Sequence, residues 1–288
     1  MRRVLTFATA LVAASLGLPA ASAQAISASV TDHVLTVGGT SEDDAVAVSC
    51  TGGSVMVDDT EPVGGPEACS DLREIRVRMD AGDDRVTLTD VGRSVFSRLG
   101  FVSAHGDDGD DTLIGSAFAD ALSGGEGHDS LRGGAGADRF EPGPGWNEVV
   151  GGDGRDVASF SGSGMWFVSN RNVDRRSPVD EDTSIRSVEI VKVVGGSERD
   201  VLSGGAFSGI SKFSGQGGND LMTSGANNDV MDGGNGNDWL DTADGNDSLD
   251  GGPGDDVLRG GNGNDDMDGG PGSDSCLSGA GADRTTSC

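Results

Sequence analysis

From residue 215 to 286 the inward-type positions recur every nine residues. Met222, Met231, Leu240, Leu249, Leu258 and Met267 share one register, and Cys276 and Thr285 continue it. Two residues before each stands an aspartate: Asp220, Asp229, Asp238, Asp247, Asp256, Asp265, Asp274 and Asp283. Two residues before each aspartate lies Gly218, Asn227, Gly236, Gly245, Gly254, Gly263, Gly272 or Gly281. The eight nonapeptides run in tandem without a slip. Internal repetition of this kind takes precedence over any single-segment reading. Positions one to six of each unit are turn-formers, and glycines at one, two and four let the backbone adopt φ > 0 and double back. Positions seven to nine are long enough only for a short extended piece, with position eight pointing inward.

The register recurs upstream in "GDDGDDTLI" (106–114), "GGEGHDSLR" (124–132), "GGAGADRFE" (133–141) and "GGDGRDVAS" (151–159). "GSAFADALS" (115–123) and "PGPGWNEVV" (142–150) keep the spacing with fewer turn glycines, and "GGSERDVLS" (195–203) keeps Asp200 and Leu202. Residues 26–104 lack the strict period. Their alternating runs "HVLTV" (33–37), "DAVAVSC" (44–50), "SVMV" (54–57) and "EIRVRM" (74–79) predict strands. "MDAGDDRVT" (79–87) already carries the repeat's glycine, aspartate and valine. Residues 160–194 interrupt the period with Trp166, Phe167 and the cluster Arg171, Arg175, Arg176; they read as a longer, decorated coil with a surface loop, and "SIRSVEIVKVVGG" (184–196) as a strand leading back into a repeat. The expected organisation is a leader over 1–25, a β-rich cap over 26–104, repeat blocks over 105–159 and 195–288, and the insertion over 160–194 between them.

The pattern G-G-x-G-x-D-x-U-x resembles the RTX (repeats-in-toxin) family of hemolysin-type calcium-binding repeats across about residues 106–286. The resemblance implies an all-β fold: a parallel β-roll, or β-solenoid, of nonapeptide repeats behind the small cap. Two nonapeptides make one coil, and several Ca2+ ions sit between turns. It implies that Asp111, Asp120, Asp129, Asp138, Asp156, Asp200, Asp220, Asp229, Asp238, Asp247, Asp256, Asp265, Asp274 and Asp283 supply the charge. The turn glycines Gly233, Gly234, Gly236, Gly251, Gly252, Gly254, Gly269, Gly270 and Gly272 expose carbonyls as further ligands.

Elementary energetics agree. Alternate repeats lie on opposite sides of a flattened coil, so Asp220, Asp238, Asp256 and Asp274 stack in one ladder and Asp229, Asp247, Asp265 and Asp283 in the other. Rungs one strand spacing apart, ~4.8 Å, repel by ~1 kcal/mol in water and ~3–4 kcal/mol at an effective dielectric of 20. A hard dication that accepts six to eight oxygens reverses that sign. Each eighteen-residue coil buries only two position-eight side chains, so metal binding is expected to supply much of the folding free energy. Turns on the Asp238 side begin "GG" at 233, 251 and 269. The other side begins "SG" (224), "TA" (242), "GG" (260) and "SG" (278), and weaker sites are expected there.

Composition narrows the classes. The 288 residues hold 50 Gly, 9 Phe, 3 Trp and no Tyr, with 34% hydrophobic residues and a formal charge of −28. Such a chain repels nucleic acid and anionic membranes, and its natural partners are cations. Arg2 and Arg3, the apolar "VLTFATALVAASLGL" (4–18) and "ASA" (21–23) read as a secretory leader cleaved after Ala23, or alternatively Ala25. Its loss leaves 18 basic and 48 acidic residues, a formal −30, and no membrane span in the mature chain. Cys50, Cys69, Cys276 and Cys288 suggest disulfides in an exported protein. Proximity favours 50–69 and 276–288, although three connectivities are open. His33, His105 and His128 are scattered and read as surface or turn residues.

Two function classes follow. The first is a secreted, non-catalytic calcium-binding protein, structural or adhesive. The second is the calcium-dependent export and folding module of a secreted hydrolase. The sequence contains no H-E-x-x-H and no G-x-S-x-G. The 79 residues over 26–104 do not resemble an enzyme fold. A pore-forming toxin would need a large apolar domain. An EF-hand would need a glutamate at loop position twelve. The first reading is preferred.

Overall fold

A computed structural model describes residues 25–145, 147–161, 165–169, 172–176, 181–186 and 188–288. The expected leader lies outside them apart from Ala25. So does Arg171, and nothing is described of the side chains of Trp166, Phe167, Arg175 and Arg176. Every regular element among the described residues is a β-strand, and no helix there is long and apolar enough to cross a membrane. The chain forms two compact units, Met1–Asp138 and Arg139–Cys288.

In the first unit one sheet orders Ser27–Thr31, Val34–Gly38, Glu74–Arg78, Phe101–Asp108 and Asp120–Glu126. The other orders Ser54–Val57, Ala45–Thr51, Arg85–Thr87, Thr112–Ile114 and Ser130–Ala135. Only the two hairpins, Ser27–Thr31 with Val34–Gly38 and Ala45–Thr51 with Ser54–Val57, are antiparallel. The remaining pairs are parallel, with Leu35, Ile75 and Val102 in register on one face and Val46, Val86, Leu113 and Leu131 on the other. The first coils here are longer than eighteen residues because they carry excursions, whereas Asp111 to Asp129 and Asp120 to Asp138 are eighteen apart. Val91, Phe96 and Leu99 are buried from one of them. The second hairpin is stapled by the Cys50–Cys69 disulfide, with Cys69 itself buried.

In the second unit the tandem nonapeptides become alternate rungs of two sheets. Met222, Leu240, Leu258 and Cys276 pair in register down one sheet, and Phe213, Met231, Leu249, Met267 and Thr285 down the other. These ladders are the core: Met222, Leu240, Leu258 and Met267 are fully buried. The three-residue strands from Leu221–Thr223 to Asp266–Asp268 each bury only their middle residue, and Ser275–Leu277 and Arg284–Thr286 bury none, so each nonapeptide, half a coil, offers the core a single inward side chain. Within 160–194, Met165–Ser169, Asn172–Arg176 and Glu181–Arg186 pair antiparallel with one another. Met165–Ser169 also pairs parallel with Val201–Ala206. Ile190–Val194 rejoins the parallel ladder between Val157–Ser161 and Ile210–Ser214. Cys276, on the inward position, is joined to Cys288.

Candidate metal centre

Position six of the nonapeptides is an aspartate except at Asn147, buried as far as Asp265 and half-buried at Asp274 and Asp283, and its two oxygens have different surroundings. Oδ1 accepts the backbone N–H of the residue one coil earlier. The bonds are Asp200 N to Asp220 at 2.7 Å, Asp220 N to Asp238 at 2.7 Å, Asp238 N to Asp256 at 2.7 Å and Asp256 N to Asp274 at 2.9 Å. On the opposite edge Ser211 N bonds to Asp229, Asp229 N to Asp247, Asp247 N to Asp265 and Asp265 N to Asp283. In the first unit Asp111 N donates to Asp129 and Asp120 N to Asp138, each at 2.9 Å. The coil stack is therefore what brings the two predicted ladders into line, and each carboxylate doubles as a backbone splice between coils.

Oδ2 of Asp111, Asp220, Asp238, Asp256, Asp265 and Asp274 is buried and accepts no hydrogen bond. A buried charged oxygen without a partner is costly, so such a group calls for a ligand. What faces it is backbone. A Cβ added to Gly233 would lie 2.5 Å from Asp238 Oδ2 and 2.5 Å from the Gly251 carbonyl of the next coil. At Gly251 the corresponding distances are 2.6 Å to Asp256 Oδ2 and 2.7 Å to the Gly269 carbonyl. Position-one glycine thus leaves open a cradle bounded by a carboxylate oxygen and a stacked carbonyl. Position four is constrained as well: Gly236 has φ +138°, and a Cβ there would run into the Gly218 carbonyl. Among the described residues no three His, Cys, Asp or Glu side chains converge. The oxygens on offer are carboxylate and main-chain carbonyl in combination, a donor set suited to a hard cation with flexible geometry.

The electrostatics show the same demand. Burial pushes Asp111 up to about 7, against the restraint of the Asp84 N–H, with the Asp129 and Asp84 charges adding to the rise. Burial likewise raises Asp220 and Asp256 to about 6, with the neighbouring rungs, among them Asp238 in both cases, adding to the rise. Asp238 and Asp265 move in the same direction for the same first cause. A dication would remove both the desolvation and the rung-to-rung repulsion that raise these values.

Not every predicted aspartate meets this cradle. Asp120 and Asp200 stand in turns where Phe118 and Glu198 replace the position-four glycine. There the N–H of Ser116 or Gly196 donates to Oδ2 at 2.7 Å, and the Ser116 hydroxyl adds a bond to Asp120 Oδ1 at 2.8 Å. Asp156 presents its own N–H to a glutamate, Glu189, at 2.7 Å in place of an aspartate rung. Gly234, Gly252 and Gly270 are left-handed at position two. Gly254 and Gly272 at position four would bring a Cβ against the Gly236 and Gly254 carbonyls.

Other participants lie beyond the predicted ligands, Asp84 within the 79–87 unit that already carried the repeat's aspartate and Asp44 in the aperiodic segment before it. Asp44 and Asp84 extend the ladder into the cap, through Asp44 N to Asp84 at 2.7 Å and Asp84 N to Asp111 at 2.9 Å. Position five carries a second, exposed ladder of opposite sense: Asn237 N donates to Asn219 Oδ1, Asp255 N to Asn237, and on the other edge Asn246 N to Asn228 and Asn264 N to Asn246. The signal was the recurrence of Asn or Asp one residue before the repeat aspartate.

A parallel β-solenoid with carboxylate-and-carbonyl cradles between its coils is a calcium-binding repeat architecture. The protein carries RTX calcium-binding nonapeptide repeats, and the family model matches residues 105–140, 206–240, 214–249, 241–276 and 250–284. Residues 105–140 and 206–284 belong to that repeat family, and calcium is the cation it binds. No curated protein matches the chain.

Proposed function

We propose that the protein is exported and acts outside the cell as a non-catalytic calcium-binding protein, structural or adhesive, whose rolls fold as calcium binds. The observation that carries this reading is the row of buried, unpartnered Oδ2 atoms at Asp220, Asp238 and Asp256, each facing a stacked backbone carbonyl. At −30 formal charge after loss of the leader, a metal-free mature chain resists collapse, which keeps it expanded where free calcium is low. At extracellular calcium, affinities in the range of ~10⁻⁴–10⁻³ M suffice to fold it. Folding is cooperative because each cradle needs two stacked coils. The low aromatic content, the leader-like N-terminus and the lack of recognisable hydrolase motifs support export and a non-catalytic role. Circular dichroism with size-exclusion chromatography, in calcium and in chelator, tests the reading. A compact, β-rich chain in excess chelator that does not respond to added calcium would refute it.

A further inference from the structure

Position one of the nonapeptide decides what its cradle holds. On the edge carrying Asp238 and Asp256 that position is glycine, and a side chain there would enter the space between Oδ2 and the next coil's carbonyl. Three turns of the opposite edge have such a side chain, at Ser224, Thr242 and Ser278. Thr242 is buried, and its hydroxyl donates to the Gly260 carbonyl at 2.6 Å. Gly260 is the position-one residue of the next coil, so this is the carbonyl that faces the cradle elsewhere. The Thr242 side chain also lies beside the Asp247 carboxyl, whose Oδ2 accepts no hydrogen bond. Ser224 is buried at the same position beside Asp229, but its hydroxyl makes no hydrogen bond to the next coil. The backbone follows suit. Position two is left-handed at Gly234, Gly252 and Gly270, but neither Gly225 nor Ala243 is left-handed.

We propose that the Thr242 hydroxyl takes the cation's place in its cradle, so that the Asp247 turn stays metal-free while the glycine edge of the same coils binds calcium. The inference rests on the calcium reading above. An O–H satisfies a stacked carbonyl as a cation would, but it adds no charge and also fills the volume an ion needs. The tandem is therefore one-sided at this coil: one edge is assembled by calcium, and the other is closed by the Thr242 side chain.

The test counts bound ions in the full chain by calcium titration calorimetry and native mass spectrometry. Thr242→Gly should bind one more calcium ion than the wild type. Gly251→Ser, which puts a hydroxyl into an open cradle, should bind one fewer. A wild type that binds calcium together with a Thr242→Gly count equal to it overturns the inference and leaves the calcium reading standing. A wild type that binds none removes both. Should Thr242→Gly not fold in calcium, Gly251→Ser decides alone: an unchanged count there overturns the inference.

Discussion

Asp256 and Asp247 occupy equivalent places on opposite edges of the same coils, and replacing each by alanine separates the two duties of a repeat aspartate. Both substitutions remove a backbone splice of similar geometry: the Asp238 N–H loses its acceptor at 2.7 Å and the Asp229 N–H its acceptor at 2.8 Å. Leaving a buried N–H unpaired costs ~1–3 kcal/mol in either case. Both lost carboxylates carry an unpartnered Oδ2, but only that of Asp256 faces a cradle whose position one is glycine. A lost site shows as a changed dependence of stability on calcium. Each bound ion contributes ~1.4 kcal/mol of stability per tenfold rise in calcium above its Kd. Urea unfolding at calcium concentrations spanning a decade should therefore show a slope at least ~1.4 kcal/mol per decade smaller for Asp256→Ala than for the wild type. The slope for Asp247→Ala should be reduced less, although its midpoint falls. Equal slopes for the two variants, or the reverse order, would refute the ranking of the edges.

Cys276→Ser/Cys288→Ser should loosen the last coils, read as faster amide exchange in 266–286, while calcium binding in 106–138 is retained; two free thiols in exported wild-type protein would remove the basis for this. Gly236→Ala should be severely destabilising, because φ is +138° there and the new Cβ meets the Gly218 carbonyl; loss of cooperative calcium-induced folding by circular dichroism is the expected readout. Acid should partly substitute for calcium. The folded, metal-free carboxyls of Asp111, at about 7, and Asp220 and Asp256, at about 6, lie above their unfolded value of 3.8. The folded form then binds more protons, so its stability rises as pH falls through 7 to 5 and is lost as pH rises through that window. In metal-free buffer β-structure should increase from pH 8 to 5.5, and over the same range calcium affinity should fall, since protons and calcium compete for the same oxygens; tighter calcium binding at pH 5.5 would contradict this.

The nonapeptide register was readable from the sequence because it is local. Glycine at positions one, two and four and the aspartate at six are constraints of a single turn, and one inward residue at position eight follows from a three-residue strand. Those facts suffice to place Met222, Leu240 and Leu258 in one ladder and Met231, Leu249 and Met267 in the other. They also separate Asp238 from Asp247. What each aspartate is bonded to was decided only by the stacking of coils, because its partners lie a coil away and belong to the backbone. Asp200 and Asp238 look alike in the sequence, yet one has Oδ2 bonded to the Gly196 N–H and the other faces an open cradle. The difference lies in how the turn before each closes once position four is glutamate in one and glycine in the other. In the same way Thr242 reads as an ordinary departure from the repeat until the next coil sets the Gly260 carbonyl 2.6 Å from its hydroxyl. A sequence period specifies which residues share an edge; which of them remain open to a cation depends on the carbonyls that the neighbouring coil brings against them.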